Sequence, residues 1–372
     1  MDLCDDDTPA YVPDYNTDSG TDDETFDTDS SSNVMSTLTS GEVAEYFQSV
    51  HGYTYTSDEN IPLFFPFVPD TIRLSTLFHT LIRLSQDGQN ISPQAAQILR
   101  TGGVDASAGT GARVLDMITN CGTWVYEMAE EFPTATFVSI DFKPLRPFDP
   151  HPRITFEVYD LYAGIAEPDA SFDVVNARNC VTATKNFNFL LREMHRVLKP
   201  GGVLVLTEIP TQGFEWDDTS KILQSAPRRA HGIRLFRSAL ESQGIDLTVW
   251  EDLASRLKPT HPLWSERTVD PVVGIVETPS MSTTDLRGFR TVRERIRLIP
   301  TGPWHKDEVQ RHIGSLARYI FTHTWQALLP LMIMMGIPEA EAQSTVDGIL
   351  EEFADDELRG YMKSHRWSGQ KI

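Results

Sequence analysis

Basic side chains are missing from the first fifth of this 372-residue chain: residues 1–72 hold sixteen Asp or Glu and neither Lys nor Arg, Arg73 being the first. With few apolar side chains to bury and much self-repulsion, residues 1–40 are expected to form an acidic disordered tail. The rest carries 37 acids against 32 bases, so the formal charge of −21 belongs mainly to the N-terminus. No basic stripe is present to neutralise phosphates, which argues against nucleic acid as a partner. The tail itself would solubilise the chain or dock a basic protein partner. Cysteine is scarce as well. Cys4, Cys121 and Cys180 are too few and too scattered for a disulfide framework or a zinc site, so no metal is expected. Long hydrophobic runs are also lacking. The greasiest stretch, "ALLPLMIMMGI", is too short to span a bilayer and contains Pro330, and the acidic start does not read as a signal peptide. No membrane association is expected, and the location is read as cytoplasmic, with the nucleus as the alternative.

What is present is an ordered pattern from about residue 41. Residues 41–100 read as an N-terminal helical or lid segment: a short helix runs into the aromatic loop "VHGYTY", and an amphipathic helix carries Leu74, Leu77, Phe78, Leu81 and Leu84 on one apolar face. Residues 101–112, "TGGVDASAGTGA", read as a polar linker. Residues 113–300 form the core. There "RVLDM", "TFVSID", "RITFEVYD", "SFDVVNA" and "VLVLTE" alternate with helices such as "FNFLLREMHRVLK", which Pro200-Gly201-Gly202 stops. Continuous apolar strands separated by helices predict an α/β fold, a Rossmann-like, doubly wound and mostly parallel sheet. Beyond it "IDLTVW" is expected as a strand, "RERIRLIPTG" as an edge strand, and residues 301–372 as a C-terminal helical cap. Trp325 and the Met332, Met334 and Met335 cluster are expected mostly in the core, with a substrate pocket as the alternative.

In such sheets ligands sit at the carboxyl ends of the strands. Asp116, Asp141 and Asp160 end three successive strands, and Gly122 lies in the turn after the first. An acid at the second strand end accepts from ribose hydroxyls, and one at the third from an adenine amino group. Both NAD and S-adenosylmethionine carry these groups, so the acids alone do not choose. A dinucleotide fingerprint needs glycines that are missing here.

Taken in order, "RVLDM…GTWVYEMAEEF", "FEVYDLYAGIAEPDASFDVVNARN" and "LLREMHRVLKPGGVLVLTEIP" resemble a class I S-adenosylmethionine-dependent methyltransferase. They are most similar to the fungal secondary-metabolite methyltransferases, including the type that acts as a regulator with velvet proteins. The resemblance implies S-adenosylmethionine as cofactor. Asp116 would hold its methionine end and Gly122 and Thr123 would admit it to the backbone. Asp141 would bind the ribose, with Phe142 beside the adenine, and Asp160 and Leu161 would contact the base. Asn176 and Arg178 would face the sulfonium and the substrate. Tyr53, Tyr55 and Trp304 are lid or substrate candidates. The chain departs from the family where alternating glycines are expected, since Ile118 and Asn120 stand at two of the three positions. Asn tolerates a left-handed backbone; a β-branched Ile does not. No catalytic base is identified: His195 is expected in packing, and His231 and His305 are weak lid candidates. The implied activity is methyl transfer to a small-molecule O or N acceptor. The alternative is a weakly active or inactive regulatory or scaffolding protein.

Overall fold

The alternation read between residues 113 and 208 builds one side of a seven-stranded sheet. The computed structural model describes residues 40–372 except 64, 68–69, 106–108, 110 and 265–286. The expected acidic tail lies outside the described residues, save that Ser40 opens the first helix. The elements are α1 (Ser40–Glu45), β1 (Phe47–Val50), β2 (Tyr53–Thr56), α2 (Thr71–Ser85), α3 (Pro93–Thr101), β3 (Arg113–Met117), α4 (Thr123–Glu131), β4 (Thr136–Asp141), β5 (Ile154–Val158) and β6 (Phe172–Arg178). They continue with α5 (Phe187–Val197), β7 (Leu198–Glu208), α6 (Pro227–Ser242), α7 (Val249–Arg256), β8 (Phe289–Pro300), α8 (Glu308–Ala327), α9 (Leu329–Met334), α10 (Glu339–Ala354) and β9 (Tyr361–Lys371).

The strand order is β5-β4-β3-β6-β7-β9-β8. Strands β5 to β7 run parallel, and β9 inserts antiparallel between β7 and β8. This is the Rossmann-like sheet expected, with the order reversing at β3. Both faces are buried, and the two-residue strand period sorts side chains between them. Leu115, Val175, Leu204 and Leu206 enter one apolar cluster, while Val114, Val174, Val203 and Val205 enter the other. Each such side chain contributes about 1.5–3 kcal/mol on burial.

Local chemistry sets the helix ends. Ser92 Oγ accepts from Ala95 N–H at the start of α3, with Pro93 in its first turn, and Gly102 closes that helix in the left-handed conformation. Part of the expected linker is therefore a helix cap, and Asp173 anchors it further by accepting from Val104 N–H at 2.8 Å.

Several expectations are corrected. "VHGYTY" is no loop: β1 and β2 form a hairpin, turned by His51 and Gly52 at φ 51° and 77°. Leu84 is 40% exposed, whereas His79 and Ile82 are buried, so the buried face of α2 is rotated from the expected one. "IDLTVW" is no strand; it is a turn leading into α7. Residues 301–372 are helical only in part, because β9 returns to the sheet and its Trp367 is buried. β8 does lie at the sheet edge.

Candidate active site

The stretch after β3 has the left-handed backbone of a glycine-rich loop with only one of the three expected glycines. Ile118, Asn120 and Gly122 have φ of 64°, 51° and 77°, all left-handed. Asn120 supports its own conformation through Nδ2, which donates to Ile118 O at 3.0 Å. Ile118 has no such local bond from its side chain, and holding a β-branched L-residue there costs roughly 1–3 kcal/mol. Its side chain is 4% exposed and packs into the core beside a cavity. Gly122 is required for a separate reason: a Cβ there would stand 2.7 Å from Phe148 Cε1.

Asp141, ending β4, faces this loop. Its Oδ2 accepts from Asn120 N–H and its Oδ1 from Phe142 N–H, each at 2.9 Å. The Lys143 ammonium lies 3.7 Å from Oδ1 and 3.8 Å from the Phe142 ring centroid. Asp116, ending on β3, is fully enclosed. Ser139 Oγ donates to its Oδ2 at 2.9 Å and Asn176 Nδ2 to its Oδ1 at 3.0 Å. Burial still pushes its carboxyl up to about 6. Asn176 Oδ1 is buried and takes no hydrogen bond among the described residues.

Arg178, ending β6, is held from the α2 side. Its Nη1 donates to His79 Nδ1 at 2.7 Å. A guanidinium cannot accept, so the His79 proton resides on Nε2, which donates to Glu127 Oε2 at 3.1 Å. Burial and then the neighbouring Arg178 charge lower His79 to about 4, so the ring stays neutral and only orients the arginine.

These strand ends open on a cavity of about 360 Å³, within the range of roughly 300–1,000 Å³ usual for small-molecule sites. Its walls are mostly apolar and come from both ends of the chain: the β1–β2 hairpin and α2 on one side, α6, α7, α8 and α10 on the other. Of the expected site residues, Tyr55, Phe142 and Arg178 line it, and Ile118 and Asn120 join them. Asp116, Asp141 and Asn176 lie just behind that lining. Thr123 opens α4, its Oγ1 3.1 Å from Cys121 Sγ. Leu161 is buried in the core, whereas Asp160 is exposed and accepts from Tyr162 N–H at 2.8 Å. Tyr53 and Trp304 are not on the cavity wall; Trp304 packs edge-on against Tyr361 at 5.0 Å. Trp325 does line the cavity, while Met332 is core. His195 packs between Trp264 and Phe289, as expected of a structural residue. His231 and His305 are not on the wall. Among the described residues no cluster of metal-ligating side chains occurs, and no helix is long and apolar enough to cross a membrane.

Sequence reasoning passed over His79, Lys143 and Glu208. Glu208 was within reach of the rule that singled out the three aspartates, because it too ends a buried parallel strand.

The site suits S-adenosylmethionine in three respects: the left-handed loop, an acid ending the neighbouring strand β4, and the orphaned Asn176 oxygen beside Asp116. The Lys143 ammonium must swing off Asp141, which a flexible four-carbon stem permits. A family model described as a methyltransferase domain matches residues 89–258. The methyltransferase pytC of Aspergillus terreus is 24% identical over 334 residues, 88% of this chain and 87% of that protein. The secondary metabolism regulator laeA of Coprinopsis cinerea is 23% identical over 283 residues, 74% of this chain, and the match spans 62% of that protein. Among solved structures, Haemonchus contortus phosphoethanolamine N-methyltransferase 2 with S-adenosyl-L-methionine aligns over 82% of this chain and 61% of that one, with 17% identity and a TM-score of 0.37. In sequence, residues 89–258 match a methyltransferase domain and the chain is similar to fungal methyltransferases, and the mostly parallel seven-stranded sheet has the Rossmann-like order of a class I methyltransferase fold.

Proposed function

We propose that this protein transfers a methyl group from S-adenosylmethionine to an O or N atom of a small molecule held in the cavity. The observation that carries this reading is the left-handed loop at Ile118, Asn120 and Gly122 opening onto an apolar cavity at the strand ends. When bound, the cofactor supplies an electrophilic methyl group. Asp141 would receive its ribose hydroxyls and Phe142 would lie beside its adenine. Leu161 and the second oxygen of Asp160 would meet the base. Gly122 and Thr123 would let its methionine end approach the backbone, while Asn176 and Arg178 would define the acceptor side. The chain's main contribution would be proximity and orientation in a mostly apolar cavity.

A second reading, a regulatory or scaffolding protein that binds cofactor weakly or not at all, draws on the Ile118 side chain on the cavity wall and on Lys143 beside Asp141. In that case the acidic tail would serve to dock a basic protein partner.

Calorimetric titration with S-adenosylmethionine and S-adenosylhomocysteine separates the two. Micromolar binding is expected, with Asp141→Ala weakening it about 10- to 100-fold through the loss of charge-assisted hydrogen bonds. Absence of binding at millimolar ligand in folded protein would leave the scaffolding reading standing.

A further inference from the structure

The cavity holds a second polar group, away from the cofactor loop, that nothing so far uses. Glu208 ends β7 on the cavity wall and is 1% exposed. Its Oε1 accepts from Cys180 N–H at 2.7 Å and its Oε2 from the Trp250 indole N–H at 3.1 Å. Oε1 also accepts from Val181 N–H at 3.4 Å, so these bonds fix the carboxylate and leave Oε2 with further acceptor capacity. No ion pair reaches it among the described residues. The Cys180 thiol is the titratable group packed against it. Across the cavity Tyr55 brings a hydroxyl that is buried without a hydrogen-bond partner. Three cationic side chains, Lys143, Arg178 and Arg229, line the same space, and Phe65, Phe78, Phe236 and Trp325 supply aromatic walls.

Building on the methyltransferase reading, we propose that the acceptor is an extended aromatic or apolar molecule bearing an acidic hydroxyl, a phenol or enol, and that the Glu208 carboxylate takes its proton. The chemistry excludes the neighbouring classes. A carboxylate acceptor is already ionised and has no proton for Glu208 to take. A protonated amine would face three cations. An aliphatic alcohol is too weak an acid to surrender its proton to a carboxylate, whereas a phenol is closer to matching it. Burial supports the assignment by pushing Glu208 up to about 7. In the transfer the acceptor's O–H bond breaks and its proton passes to a Glu208 oxygen. The oxygen's electron pair forms the bond to the methyl carbon as the C–S bond of the donor breaks and its pair stays on sulfur. Release of the Glu208 proton to water resets the site.

The test uses the full chain and 7-hydroxycoumarin, whose fluorescence excitation separates phenol from phenolate, at a pH below the free probe's ionisation midpoint. Saturable binding as phenolate is expected for the wild type, with or without S-adenosylhomocysteine. Glu208→Gln should bind the probe as phenol, and Glu208→Asp, with its carboxylate withdrawn, should give a reduced phenolate fraction; the second variant decides the matter if the first does not fold. Tyr55→Phe should weaken binding about three- to tenfold without changing the ionisation state. No saturable binding, binding as phenol, or phenolate persisting in folded Glu208→Gln would overturn the proposal. Phenolate binding without affinity for S-adenosylhomocysteine would instead sink the methyl-transfer reading alone.

Discussion

Replacing Ile118 by glycine is the most informative single change, because two opposing effects at that residue have different readouts. On stability, the variant loses a side chain that is only 4% exposed and joins the core, a loss of about 2–5 kcal/mol for truncation of a buried aliphatic residue. It regains the cost of a left-handed β-branched residue at φ 64°, about 1–3 kcal/mol. The balance is a net destabilisation of about 1–2 kcal/mol, to be read from denaturant unfolding. On binding, under the proposed function the side chain would stand beside the methionine end of the cofactor, and removing a steric cost of about 1–3 kcal/mol should tighten S-adenosylhomocysteine about 5- to 150-fold. Ile118→Ala separates the components: it relieves the contact beyond Cβ and keeps the backbone strain, so it should recover affinity while losing more stability than glycine does. Calorimetry beside unfolding curves measures both. An affinity unchanged within about twofold in folded Ile118→Gly would refute the view that this side chain intrudes on the cofactor.

Glu208 should make the fold less stable as pH rises. Its folded value of about 7 exceeds the ordinary 4.5, so the native state holds an extra proton between them, and the stability this contributes below about 4.5 is lost on passing 7. The span is worth about 3 kcal/mol; Glu208→Gln should gain that much relative to the wild type between the two ends, and parallel unfolding curves would disprove it. Trp367→Ala, in a strand enclosed by β7 and β8, should cost about 3–5 kcal/mol in denaturant unfolding; a loss below about 1 kcal/mol would mean that β9 is dispensable. Burial opposes ionisation of the Cys121 thiol, but hydrogen bonds from Ser75 and Thr123 outweigh it and lower its titration, whereas burial raises that of Cys180. Iodoacetamide should therefore label Cys121 before Cys180 by peptide mapping, and S-adenosylhomocysteine should slow that labelling.

The parts of the fold legible in sequence are those whose burial is a local pattern. β3, β4, β6 and β7 are continuous apolar runs, and α5 repeats its apolar face at helical spacing, so each announces itself within a few residues. β9 does not. "YMKSHRWSGQK" is polar, and it is buried because β7 and β8 flank it and because its polar side chains find distant partners: Arg366 donates to Gln89 O at 2.9 Å, and Gln86 Nε2 donates to Ser364 Oγ at 2.9 Å. "IDLTVW" misleads in the opposite way, since its β-branched residues favour a strand while the turn into α7 buries Ile245, Leu247 and Val249 instead. In the site, the acids at strand ends were visible because topology alone places them. Which aromatics line the cavity was not, because Tyr55 and Trp304 both sit near irregular segments and only the tertiary packing turns one inward and the other onto Tyr361.

The distribution of cost through the molecule bears on whether the cofactor loop is still in use. Several helix ends follow local rules: Ser92, Asn186 and Asp307 cap their helices through side-chain oxygens, and Gly102 occupies a left-handed C-cap. At the carboxyl ends of β3, β6 and β7 those rules lapse together. Ile118 is held left-handed, and Asp116, Arg178 and Glu208 are each displaced by burial toward the neutral form. Apolar replacements of buried ionisable groups are often neutral or stabilising, so a fold with no use for these groups would gain little from keeping them. Buried charge and backbone strain persist where the surrounding structure over-determines them, and they cluster at sites of chemistry. Each also occurs singly elsewhere, as at Thr291 with φ 54° and at the buried Arg366, but here both collect around one apolar cavity that the N-terminal hairpin and the C-terminal helices close from opposite sides. That coincidence favours a working site over a relic, and the Ile118 substitution then measures how far its cofactor affinity has been turned down.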